Sequence, residues 1–171
     1  MSLRFLRGEG YKRRSARVLL LDGEDRLLLF RFAERHTPGV DHCWLTPGGG
    51  VGKGEGLAEA AARELREETG LAVEPAELGA PVAVTSGYAD LGWIRGTLRD
   101  DFFLYRTHAH EVDTAGQEDF ERSQLTGHRW WTVDELATTQ DLVYPLGLVP
   151  LLRELLAGRV PAEPVELPWH H

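Results

Sequence analysis

Apolar positions along the chain change period several times, and each change marks an element. From Ser15 the run ARVLLLD is apolar almost without interruption, Gly23-Glu24-Asp25-Arg26 is turn-forming, and LLLFRF follows. Short continuous apolar runs separated by turn residues predict two buried strands joined as a hairpin. Residues 33–42, AERHTPGVDH, are polar and carry Pro38 and Gly39, so they read as a loop. Cys43–Thr46 then makes a short strand entering Pro47-Gly48-Gly49-Gly50, where glycine permits close approach of backbone to a ligand. Between Leu57 and Leu65 the period becomes helical. Leu57, Ala58, Ala61, Ala62 and Leu65 fall on one stripe about 140° wide, enough to seat a helix on a sheet.

Beyond Leu71, AVEPAELGA reads as a connector. PVAVTSGYAD and RGTLRDDFFLYRTHAHEV then predict a second long hairpin with Trp93 near its tip. Phe102, Leu104 and Arg106 alternate with Phe103, Tyr105 and Thr107, so one face is expected to pack and the other to look toward a substrate. His108 and His110 share a side of that strand and read as exposed polar positions rather than zinc ligands. Residues 111–128 are acidic and read as loop with a short helical turn. Arg129–Val133 follows as the last strand, and a helix begins at Asp134. Leu148, Leu151, Leu152, Leu155 and Leu156 form a broad helical stripe, expected to pack on the sheet, with a dimer contact as the alternative. The tail from Val160, with Pro161, Pro164 and Pro168, is expected to be extended and mobile.

One helix carries charges that no stability argument asks for. Glu64, Glu67 and Glu68 stand at i, i+3 and i+4 beside the apolar stripe, so their Cβ atoms are about 5–6 Å apart. Like charges at that spacing cost a few tenths of a kcal/mol per pair. Gly70 is a natural residue to follow the helix end, which puts Glu67 and Glu68 in the last turn. There the macrodipole opposes acids by up to about 1 kcal/mol each. The strip reads as wanting a cation. A hard divalent ion such as Mg²⁺ turns this repulsion into ligation, because it takes oxygen ligands and binds one or two carboxylates together with substrate phosphates.

Composition narrows the partners. The 171 residues are 42% hydrophobic and 27% charged, which fits one globular domain. A basic arm, residues 1–13, is expected to precede a domain at 14–159, with the Pro-rich tail at 160–171. A formal net charge of −8 disfavours a nucleic-acid polymer bound by phosphate neutralisation. Cys43 is the single cysteine, so no internal disulfide forms. No signal-like segment or apolar run of membrane-spanning length is seen, and the expectation is a cytoplasmic protein with no membrane partner.

The spacing is also diagnostic. Gly49, Glu55, Arg63-Glu64-Leu65, Glu67-Glu68 and Gly70-Leu71 match every fixed position of G-x5-E-x7-R-E-U-x-E-E-x-G-U. In this the chain resembles the Nudix hydrolase family. The resemblance implies an α/β fold, a Nudix-type α/β/α sandwich with a mixed central sheet. It implies Mg²⁺-dependent hydrolysis, with Mn²⁺ as a substitute, of the pyrophosphate linkage of a nucleoside diphosphate derivative by water attack on phosphorus. Glu64, Glu67 and Glu68 carry over as metal ligands, Gly48 adds a backbone carbonyl, and Arg63 and Glu55 hold the loop and carboxylates. The family's further glutamate before the last strand corresponds to Glu121, with Glu118 as the other candidate.

The expected partner is a small nucleotide, a nucleoside triphosphate or a relative of one, acted on by a monomer or homodimer. The proline that marks many ADP-ribose hydrolases beyond the motif is absent, since that region reads Val84-Thr85-Ser86. Trp44, Tyr105 and Trp93 are candidates to stack on a base. Two other functions were weighed. A Nudix-fold binding or regulatory module without catalysis is opposed by the intact acidic residues. An isomerase of the isopentenyl-diphosphate type would need Cys43, for which a small buried role is expected.

Overall fold

The computed structural model describes residues 10–117 and 125–169. β1 (Arg13–Leu21) and β2 (Leu27–Ala33) are the expected hairpin, meeting at Leu21 and Leu27. β3 (His42–Leu45) and β4 (Gly48–Gly50) follow, and the latter pairs antiparallel with Ser15–Arg17 of β1. α1 spans Leu57–Thr69, and a single 3₁₀ turn spans Pro75–Leu78. β5 (Ala83–Asp90) and β6 (Arg95–Arg106) form the second hairpin, and β6 runs parallel to β1 along the whole of β1. β7 (Leu125–Trp131), α2 (Val133–Thr138), β8 (Leu142–Val143), α3 (Leu148–Leu156) and β9 (Val165–Glu166) complete the order.

The sheet is mixed, in the order β8-β3-β2-β1-β6-β5-β9, with β4 branching from β1 and β7 from β2. Its two faces explain the continuous apolar runs, because strands covered on both sides have no polar face to alternate. Leu19, Leu21, Leu27, Leu29 and Phe102 pack toward Leu151, Leu152 and Leu155 of α3. Val18, Leu20, Leu28, Phe30 and Phe103 pack toward Ala60, Ala61 and Leu65 of α1. This is an α/β/α sandwich. The leucine stripe of α3 is core, as expected. Both faces of β6 are packed along Phe102–Tyr105, and the face that carries Phe102 also borders a pocket together with Leu98 and Asp100.

Three local readings change. β6 ends at Arg106, so His108 and His110 lie beyond it; the His110 ring nitrogen sits 2.6 Å from the Thr69 carbonyl oxygen at the end of α1. β7 begins at Leu125, inside the stretch expected as loop, because β2 offers it an edge. The tail is tied down: Val165 and Glu166 pair with Ala83 and Val84, and Leu167 is buried. The prolines keep the tail extended, and an extended chain is what an open sheet edge accepts.

Candidate active site

The edge of β4 that faces away from β1 receives α1. The Glu68 Oε2 accepts from the Gly48 N–H at 2.9 Å, and the Gly50 carbonyl accepts from Arg63 Nη2 at 3.0 Å. Glycine is required here twice. Gly48 has φ +141°, and a Cβ on it would stand 2.4 Å from the Ala16 carbonyl oxygen; one on Gly49 would stand 2.6 Å from Glu64 Oε1. Only bare backbone lets the helix carboxylates come this close. α1 itself ends at Gly70, whose φ of +77° closes a bond from its N–H to the Arg66 carbonyl.

Arg63 answers part of the demand for a cation from inside the helix. Its Nε and Nη2 donate to both Glu55 oxygens at 2.8 and 3.0 Å, and its Nη1 reaches Glu64 at 3.0 Å and Glu67 at 3.4 Å. The guanidinium's fork geometry makes such multiple pairing rigid. It holds the Glu55 carboxyl down to about 2, helped by the Gly52 N–H, and its own pKa is pushed up. Glu55, which also accepts from Gly52, thereby ties the loop after β4 to α1. Glu64 and Glu68 are each 6% exposed, whereas Glu67 is more open.

Beside the chain that enters β4 at Leu45 and Thr46 lies a pocket of about 300 Å³. It opens where β1 parts from β2: the first half of β1 pairs with β4, and β2 meets β1 only at its far end. Arg13 and Arg17 from β1, Phe32 from β2, Leu45 from β3, Asp100 from β6 and Tyr144 help to line it. Arg17 bridges the parting by donating to the Thr46 carbonyl at 3.1 Å. The Arg13 guanidinium is 3.4 Å from where a Cβ on Gly50 would stand. Arg13 and Arg17 thus join the pocket to β4, whose glycines also receive the carboxylates of α1.

Glu64, Glu67, Glu68, Arg63 and Gly48 are brought together. Glu121 and Glu118 lie outside the described residues. Trp44 and Tyr105 are not at the pocket. The Trp44 indole donates to Asp141 at 3.0 Å and packs edge-on against Trp131 in the core under α3, while Tyr105 packs on the α1 side. Their strands do reach the pocket, but through Cys43 and Leu45 of β3 and Leu98, Asp100 and Phe102 of β6. Trp93 is 67% exposed at the β5–β6 turn with the Arg13 guanidinium over its ring. Arg13, which the sequence assigned to the basic arm, and Ser15 and Arg17, which it passed over, stand at period two at the start of β1. That polar alternation was the available signal. Cys43 is buried, and burial pushes its thiol up to about 11, so it stays protonated near neutrality and is a poor nucleophile.

The family model for the NUDIX domain matches residues 11–152. The chain belongs to the Nudix family. With the family goes its reaction class, that of a pyrophosphohydrolase. Among solved structures the fold is shared with a MutT protein from Methanosarcina mazei Go1, at 18% identity and TM-score 0.60 over 90% of this chain and 99% of that one. A C. elegans Ap4A hydrolase binary complex matches at 17% identity and TM-score 0.57, over 85% and 96% of the two chains. The NUDIX domain of Shewanella oneidensis NrtR, complexed with ADP ribose, matches at 15% identity and TM-score 0.59, over 91% and 99%. No curated protein matches the sequence. None of the described helices is long and apolar enough to cross a membrane.

Proposed function

We propose that this Nudix chain hydrolyses the pyrophosphate linkage of a nucleoside diphosphate derivative, a nucleoside triphosphate or a related nucleotide, with a divalent cation, Mg²⁺ or Mn²⁺. The observation that carries the proposal is the pair of buried carboxylates, Glu64 and Glu68, seated on the glycine strand that the pocket's Arg13 and Arg17 also approach. The donor set suits such an ion. Carboxylates of Glu64, Glu67 and Glu68 and the Gly48 carbonyl are hard oxygens, and a Cβ on Gly49 would fill the space at the Glu64 carboxylate. Among the described residues no three Asp, Glu, His or Cys side chains close on one point. Mg²⁺ asks for less, since it keeps waters and shares its shell with substrate phosphates. When bound, the ion would lower the pKa of a water and neutralise charge on the departing phosphate.

The chain's own residues then have separable tasks. Glu68 locks α1 to β4, and Arg63 fixes the spacing of Glu55, Glu64 and Glu67 so that no reorganisation is needed when phosphate arrives. Arg13 and Arg17, the latter 3.7 Å from the Asp100 carboxylate, supply guanidinium donors to a pocket that would take the organic end of the substrate and its nearest phosphate.

The test is incubation with a panel of nucleoside di- and triphosphate derivatives and Mg²⁺, with the products identified. Cleavage within the phosphate chain, lost on chelation and restored by Mg²⁺ or Mn²⁺, is the expected outcome. Turnover that survives exhaustive chelation, or binding without turnover across the panel, would overturn it.

A further inference from the structure

The pocket has one wall that is far away in sequence. After α3 the chain returns along the open edge of β5, where the Val165 N–H donates to the Val82 carbonyl at 2.9 Å and the Leu167 N–H to the Val84 carbonyl at 2.8 Å. Thr85, fully buried, donates its hydroxyl toward the Leu167 and Pro168 carbonyls at 3.2 and 3.1 Å. These bonds carry the chain up to Pro168 and deliver Trp169, which lines the pocket together with Arg13 and Arg17. The Trp169 Nε1 donates to the Tyr88 carbonyl at 2.9 Å. Its ring lies against Gly87, where a Cβ would stand only 2.2–2.5 Å from the indole. Gly87 needs no unusual backbone, so the absent side chain there serves to admit the ring.

We propose that Trp169 is a specificity-determining residue, its indole stacking on the base of the nucleotide whose phosphates lie toward Arg13 and Arg17. This rests on the pocket taking the organic end of the substrate, as argued above. A planar apolar ring held in place by a hydrogen bond at its edge, beside two guanidinium groups, is complementary to a flat heteroaromatic ring attached to phosphate. Rigid aromatic rings hold bases at little entropic cost and tolerate any base, because each offers a π face. An aliphatic or purely anionic phosphoanhydride would leave the indole without a matching surface. The carboxylates of α1 are not among the residues that line the pocket with Trp169, so Trp169 acts on binding and not on the bond-breaking step.

The experiment uses the full chain with Trp169→Ala, Trp169→Phe and Gly87→Val, the last displacing the ring while leaving the tryptophan in the sequence. Steady-state kinetics are measured with the best nucleotide of the panel, alongside the inhibition constant of inorganic triphosphate, which has no base. Loss of stacking should raise KM about tenfold or more in Trp169→Ala and Gly87→Val, with kcat nearly constant. Trp169→Phe should recover most of the loss, and inhibition by triphosphate should be unchanged in all three. An unchanged KM in both disrupting variants overturns the proposal while leaving the hydrolase reading intact. An equal weakening of nucleotide and triphosphate also overturns it, because a merely structural role would act on both. If the wild-type chain cleaves no nucleotide in the panel, the hydrolase reading itself fails.

Discussion

A carboxylate in the last turn of a helix opposes the dipole by up to about 1 kcal/mol, yet Glu68 is 6% exposed and placed there by the Gly48 N–H. Glu68→Gln keeps an acceptor for that N–H and removes the charge. Its melting temperature should therefore hold or rise slightly while turnover is mostly lost. Glu68→Ala should lower the melting temperature as well, since it leaves a buried N–H without its acceptor at about 1–3 kcal/mol. Thermal melts of the two metal-free variants separate these outcomes. Arg63 is read through pH. The folded Glu55 carboxyl titrates at about 2 against its ordinary 4.5, so its stabilisation is present above pH 4.5 and fades as pH falls toward 2. Arg63→Met should flatten that acid slope, measured as the difference in urea midpoint between pH 5 and pH 2.5. For Glu121, the sequence-based assignment predicts that Glu121→Gln lowers kcat by about 10²–10⁴-fold with little change in KM; the same loss in Glu118→Gln instead would move the role there, and silence at Glu111, Asp113, Glu118, Asp119 and Glu121 would return it to the motif, with Glu64 first.

The β4–α1 unit is the element on which the site turns. Gly49→Ala puts a methyl 2.6 Å from Glu64 Oε1, the end of a side chain that can swing aside, whereas Gly48→Ala meets the Ala16 carbonyl and Arg17 Cα at 2.4 and 2.6 Å. The first should cost activity with a small change in melting temperature. The second should cost both, because backbone cannot yield and φ +141° is strained for alanine. Thermal melts paired with turnover distinguish them. α1 was legible from the leucine and alanine spacing and from Gly70. Its burial of Glu64 and Glu68 was not, because periodicity places a carboxylate on a face but says nothing of a glycine strand waiting there.

Across the whole molecule, the tail closes a circuit from α3 to the far edge of the sheet. Ending the chain at Glu163 removes the β9 pairing and the burial of Leu167, about 2 kcal/mol for the side chain alone. A fall of roughly 4–8 °C in melting temperature is expected. The exposed β5 edge should also promote association, visible by light scattering. A truncated chain with an unchanged melting temperature would show that β9 contributes nothing to the fold.

The two hairpins, the two helices that cover the sheet, and the carboxylates of α1 were determined by local features: runs of apolar residues, turn residues, and fixed spacings along one helix. Such signals survive in the sequence because neighbours in the chain are neighbours in space. The pocket is different. Arg13 and Arg17 from β1, Asp100 from β6 and Trp169 from the tail meet only because β1 parts from β2 and because β9 finds the edge of β5. The same long-range pairing buried Trp44 and packed Tyr105 on the α1 side, the rings that the sequence offered for stacking on a base. Which aromatic ring faces the pocket was settled by the pairing of distant strands, a balance of edge hydrogen bonds and two-sided burial that no stretch of sequence contains by itself.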